Sequence, residues 1–170
     1  MNNELKYALL CGTALSLWVL IEFALGFHTT SLEIGQYSGF FSILIPIILI
    51  FSALQERQKQ SGSLLSWTVG IDSGFRIAFY SALLFTMFMV IYRLYINPDW
   101  LEATIEWQRK KLILGGASDD EIGRFMESSR TMNSLPVQII TGFVGSTTVG
   151  VIVTLIEIPV LRVLARSKKQ

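Results

Sequence analysis

Apolar residues fall in four long blocks, at about residues 7–27, 34–54, 75–96 and 137–164, separated by polar segments. A hydrocarbon core about 30 Å thick takes about 20 helical residues, each rising about 1.5 Å. Each block therefore predicts one membrane-crossing helix. The first block is longer than the apolar core of a secretory signal and has no small-x-small cleavage pattern after it, so it is expected to be retained.

The polar segments set the connections. Residues 28–33 make a turn short enough for the first two helices to be antiparallel neighbours, and residues 55–63 a solvated loop. Gly35 and Gly39 stand at GxxxG spacing, and Pro46 lies mid-span, where it should kink the second helix. Leu64, Trp67, Ile71 and Phe75 recur at helical spacing ahead of the third span, as an interfacial segment or an extension of that helix. Residues 97–135 form the only sizeable polar stretch. In it, Asn97-Pro98 reads as N-cap and first helical position, Gly115-Gly116 as a stop, and Ser118-x-x-Glu121 as the capping box of a second helix. Pro136 then opens the fourth span. The fold expected is all-α: a single domain of four transmembrane helices, with an extracytoplasmic helical hairpin between helices three and four.

Charge orients the bundle. Lys6, Arg57, Lys59, Arg76, Arg162, Arg166, Lys168 and Lys169 cluster near span ends on one side. Arg93, Arg109, Lys110, Lys111, Arg124 and Arg130 fall on the other, mostly among acidic residues. The positive-inside rule then puts both termini in the cytoplasm. Net charge is only +1, so no basic field suggests nucleic acid. Cys11 is the sole cysteine, which excludes an intramolecular disulfide and a cysteine-built metal site. Bulky Leu10 before it argues against a lipoprotein cleavage site.

Ionisable groups inside spans are costly and are the first functional candidates. By depth, Glu22 in span one matches Arg93 in span three, and Glu157 in span four matches Arg76 at the start of span three; Asp72 and Arg76 form an i, i+4 pair. These read as interhelical clamps rather than transport gates, because none sits at mid-membrane. Gly142, Ser146 and Gly150 share a face of span four and predict tight helix packing. Trp100 and Trp107 lie on one side of the first hairpin helix, as an aromatic belt or a docking face. His28 reads as a polar turn residue. The sequence contains no HExxH, GxSxG or P-loop, so no catalytic residue, metal site or cofactor is expected.

The order of parts resembles a known family. Its carriers are the short first span, residues 35–50 with their Ile-Pro-Ile-Ile-Leu-Ile run, and Asp72-Ser73-Gly74-Phe75. They continue with Asn97-Pro98-Asp99-Trp100-Leu101, Glu106-Trp107-Gln108-Arg109, Gly116-Ala117-Ser118-Asp119-Asp120-Glu121-Ile122 and the glycine-rich last span. Together these resemble the bacterial membrane family called domain of unknown function 4199. The resemblance implies a multi-pass bacterial membrane protein and supplies no substrate, cofactor or active site. The expected role is a non-enzymatic interaction, accessory or scaffold protein of the inner membrane, with the bilayer, an envelope protein or a second copy as partner. A small oligomeric carrier or channel is the alternative, and an intramembrane enzyme ranks last.

Overall fold

A computed structural model describes residues 3–167; Lys168 and Lys169, counted above for orientation, lie outside them. Among the described residues every regular element is helical. Four segments are long and apolar enough to cross a membrane: Asn3–Ala24, Leu32–Ser61, Trp67–Ile96 and Leu135–Ser167. Large apolar side chains such as Phe40, Leu25, Ile156 and Val163 are exposed on the outside of the bundle. So broad an apolar surface calls for an apolar surrounding.

The first segment is one helix, α1 (Asn3–Ala24). Gly26, at φ +79°, turns the chain back, and the Gly26 carbonyl accepts bonds from the Thr30 and Ser31 amides. The second segment is broken into α2 (Leu32–Ser38), a 3-10 turn (Gly39–Ile43) and α3 (Leu44–Ser61). Pro46 explains the break, although it sits in the first turn of α3 rather than at a mid-helix kink. Its ring excludes the carbonyl four residues back, that of Ser42, so the preceding turn tightens.

Helix α4 (Trp67–Ile91) starts at an N-cap Ser66, whose hydroxyl accepts from the Val69 amide, and ends in a π turn (Tyr92–Ile96). The segment around Trp67 thus extends the third helix. α4 is the centre of the bundle and packs on both α1 and α7 (Leu135–Ser167). Between them stand α5 (Trp100–Leu114) and α6 (Asp119–Met132). Gly116 at φ +80° closes α5, and the Ser118–Glu121 capping box opens α6 as its sequence requires. Hydrogen bonds from the Ser118 amide and hydroxyl hold the Glu121 carboxyl below its ordinary range. An Arg130–Glu102 ion pair at 3.5 Å joins the two hairpin helices. Asn97 is not the N-cap of α5; Asp99 takes that position, and Asn97 turns its side chain to Tyr92 instead.

The bundle is closed at the end carrying the termini. There Ala8, Ile50, Leu54, Ile77, Val153, Ile158 and Leu161 form one core. Glycines on α4 and α7 allow close approach. A Cβ on Gly74 would collide with Thr154, one on Gly70 would fall 2.8 Å from Ile158, and one on Gly150 would fall 2.5 Å from Ala78. Such contact is the principal attraction between helices in lipid, where hydrophobic burial gives little.

Candidate functional site

Two features occupy the hairpin end: a buried polar cluster and an open cleft beside it. The cluster starts on α1, where the Trp18 indole donates to Glu22 Oε1 at 2.8 Å. The Gly26 turn folds His28 back so that its Nε2 lies 3.4 Å from Glu22 Oε2. On its other side, His28 Nδ1 lies 2.6 Å from the hydroxyl of Tyr92, a fully buried residue. The Asn97 amide donates to the same hydroxyl at 3.1 Å.

One assignment of protons satisfies this chain of contacts. Tyr92 accepts from Asn97 and donates to His28 Nδ1, which leaves the proton of a neutral imidazole on Nε2, facing Glu22. Burial lowers the His28 pKa below its ordinary value, against the opposing pull of Glu22, which agrees with a neutral ring. Rings pack around it: Trp100 with its centroid 5.2 Å from that of His28, and Phe23 edge-on to Tyr92. The cluster therefore ties the α1 turn, the end of α4 and the start of α5 together.

Of the charge pairs read from the sequence, Asp72–Arg76 forms, whereas the two pairs expected between helices do not. Glu22 does not pair with Arg93. Depth places the two at one level, but Tyr92 faces Glu22 and His28, and Arg93, one position on, points toward α7. There Arg93 Nη1 donates to the Asn133 carbonyl at 2.7 Å and to Gln138 Oε1. No carboxylate lies within ion-pair distance of Arg93 among the described residues.

Nor does Arg76 reach Glu157. Arg76 pairs with Asp72 at 3.0 Å on an exposed side of α4, whereas the α4–α7 contact face runs through Gly70, Gly74 and Ala78. Glu157 is buried on α7, and neither carboxylate oxygen has a hydrogen-bond partner among the described residues. A different clamp forms at this end, between residues too far apart in the chain for spacing to pair them. Glu4 Oε1 accepts from Ser73 at 3.0 Å and lies 3.2 Å from Arg57 Nη1.

The cleft arises because the close glycine packing of α7 on α4 stops at Gly150, although Arg93 and a Phe79–Phe143 contact still hold α7 toward the hairpin end. Gly150 is tightly packed, but Gly142 and Gly145 meet nothing within 4 Å of an added Cβ, so the small-residue face is half contact and half opening. Gly39 likewise faces open space, whereas Gly35 is pressed against the Phe27 carbonyl. Three adjoining chambers follow, all lined by Phe85. The largest of the three holds about 480 Å³ between Pro46, Ile50, Ser81 and the α7 glycines. The second, of about 320 Å³, is bordered by Trp100, Asn133 and Gln138. The third, of about 240 Å³, reaches Trp18, Glu22 and His28. Trp100 thus faces inward, between chamber and cluster. Trp107 lines a separate groove against residues 29–34 and carries Lys111 Nζ 4.4 Å above its ring.

This geometry defines a class before it defines a family: among the described residues, an all-helical fold with four helices able to cross a membrane, and a lateral cleft toward the hairpin end. No group of three or more histidine, cysteine or acidic residues among those described could hold a metal. The chain belongs to the family described as Protein of unknown function (DUF4199), whose model matches residues 6–157. No curated protein and no solved structure matches it.

Proposed function

We propose that this chain is a non-enzymatic, multi-pass protein of the bacterial inner membrane that acts by binding an apolar, membrane-borne molecule in the lateral cleft. The observation that carries this reading is the asymmetry of α7. Gly150 is locked against Ala78, while Gly142 and Gly145 border empty, largely apolar space. Ligand sites are concave, mostly apolar and furnished with a few polar groups, and this cleft has that character. An enzyme would need a nucleophile, acid and base meeting a reactive atom. Here the polar cluster satisfies its own hydrogen bonds, which suits a brace better than a catalyst.

A photoreactive residue in place of Thr141, which lines two chambers, should give one discrete adduct of lipid mass by intact mass spectrometry. The same probe at Leu155, on the exposed outside of α7, should give only a diffuse background. Indistinguishable labelling at the two positions would remove the cleft as a binding site. Both termini are placed in the cytoplasm by the same reading. Membrane-impermeant thiol labelling from outside should then reach a cysteine at Ser118 and miss one at Gln60; the reverse pattern would invert the protein.

Glu157 favours a second reading, a carrier, since a buried carboxyl without a partner on a spanning helix is a common transport group. Collapse of an imposed pH gradient by vesicles holding the wild type, and not by Glu157→Gln, would move the assignment there.

A further inference from the structure

We infer that the cleft holds one acyl chain of an anionic membrane lipid, with Arg93 taking its head group; this rests on the cleft being a binding site. Length is the first argument. The lining of the cleft on α7 runs from Gln138 to Gly150, about 18 Å of helix at about 1.5 Å per residue. One leaflet of a bilayer core is about 15 Å deep. The cleft thus spans one leaflet, from the membrane surface to mid-depth, and ends where Gly150 closes on Ala78. A chain standing in that leaflet fits it; a helix crossing the whole bilayer would meet the closed half.

Polarity is the second argument. Toward mid-depth the lining is apolar, with Leu15, Ile43, Ile50 and Val149, whereas at the surface it includes Asn133 and Gln138. These two are the groups that hold Arg93. Only Nη1 of that guanidinium is hydrogen-bonded within the described protein, and no carboxylate compensates its charge. An arginine fixed by neutral acceptors, with its remaining donors unclaimed, presents the fork that phosphate and carboxylate oxygens accept. The other charged group near the cleft, Glu22, already has Trp18 and His28 on its two oxygens. Arg93 stands behind the lining residues Asn133 and Gln138, so an anionic head is drawn to that rim of the cleft and repelled from the Glu22 side.

The test uses the full chain, stripped of lipid in mild detergent and titrated by native mass spectrometry. The probes are phosphatidylglycerol and phosphatidylcholine of identical acyl chains, with inorganic phosphate as a third arm. Wild type should favour phosphatidylglycerol about tenfold, the scale of one charge-assisted contact. Arg93→Gln should lose that preference while still taking up either lipid, and Arg93→Lys should keep part of it, which guards against a misfolded glutamine variant. Gly145→Leu, which fills the cleft, should lose both lipids.

Equal uptake of the two lipids by wild type, with Gly145→Leu losing both, would overturn the head-group assignment and leave the cleft as a site. Uptake untouched by Gly145→Leu would overturn the cleft as well. Binding of inorganic phosphate without uptake of either lipid would show that a free anion and not a lipid is the ligand.

Discussion

At the scale of single residues, the hairpin end is organised by Tyr92. Its hydroxyl serves both His28 and Asn97, and all three are buried. Tyr92→Phe keeps the ring but leaves two buried polar groups short of a partner, a loss of about 1–3 kcal/mol. The check is thermal unfolding in detergent, where Phe88→Leu, a packing change nearby, offers a control without lost hydrogen bonds.

His28 makes the same region sensitive to acid. Its folded pKa lies below the ordinary 6.5, chiefly through burial. As pH falls below the ordinary value, the unfolded chain takes up a proton that the folded chain resists, so this contribution to stability is present at neutral pH and lost on acidification. Unfolding midpoints should drop between pH 7.5 and 5, and less steeply in His28→Gln; parallel curves would show that His28 is not responsible. None of this was legible in the sequence. The partners of His28 lie six residues back and 64 residues ahead, and only the Gly26 turn brings them together. The Trp18–Glu22 bond, at i, i+4 spacing, was within reach of a helical reading and marks Glu22 as already occupied. Matching depths placed Glu22 and Arg93 at one level but carried no information on which way each faces around its helix.

At the scale of elements, hydropathy alone located all four long helices, and the turn chemistry of Gly116 and Ser118 located the hairpin, because these depend on local sequence. The break in the second helix was signalled by Pro46 but misplaced, since proline disturbs the turn before it more than its own. The small-residue spacing on α7 was visible too, yet spacing cannot say whether a neighbour is present. Gly150 has one and Gly142 does not. Glu157 is the odd group in the closed half. A buried carboxyl lacking any donor destabilises its surroundings, so Glu157→Met, similar in size and free of the unsatisfied oxygens, should raise stability by about 1–3 kcal/mol. Such a gain would mark Glu157 as retained for a function rather than for the fold. A fall in the midpoint would mean that the carboxyl is satisfied in the membrane by a group from outside this chain.

At the scale of the whole molecule, a half-closed bundle emerges. The end near the termini is held by glycine-mediated contacts of α4 with α7 and by Glu4 with Ser73 and Arg57. The hairpin end is held by the Tyr92 cluster on one side and by Arg93 on Asn133 and Gln138 on the other, with the cleft open between them. Leucine at Gly150 and at Gly145 separates these two halves most directly, with unfolding midpoint and co-purified lipid read on the same samples. Gly150→Leu must push α7 off Ala78, an overpacking loss of about 1–3 kcal/mol or about 2–10 °C at this chain length. Gly145→Leu should leave the midpoint within about 1 °C, since its side chain enters empty space, and should deplete the bound lipid. Equal destabilisation at the two positions, with lipid content unchanged in both, would contradict an open, ligand-holding cleft.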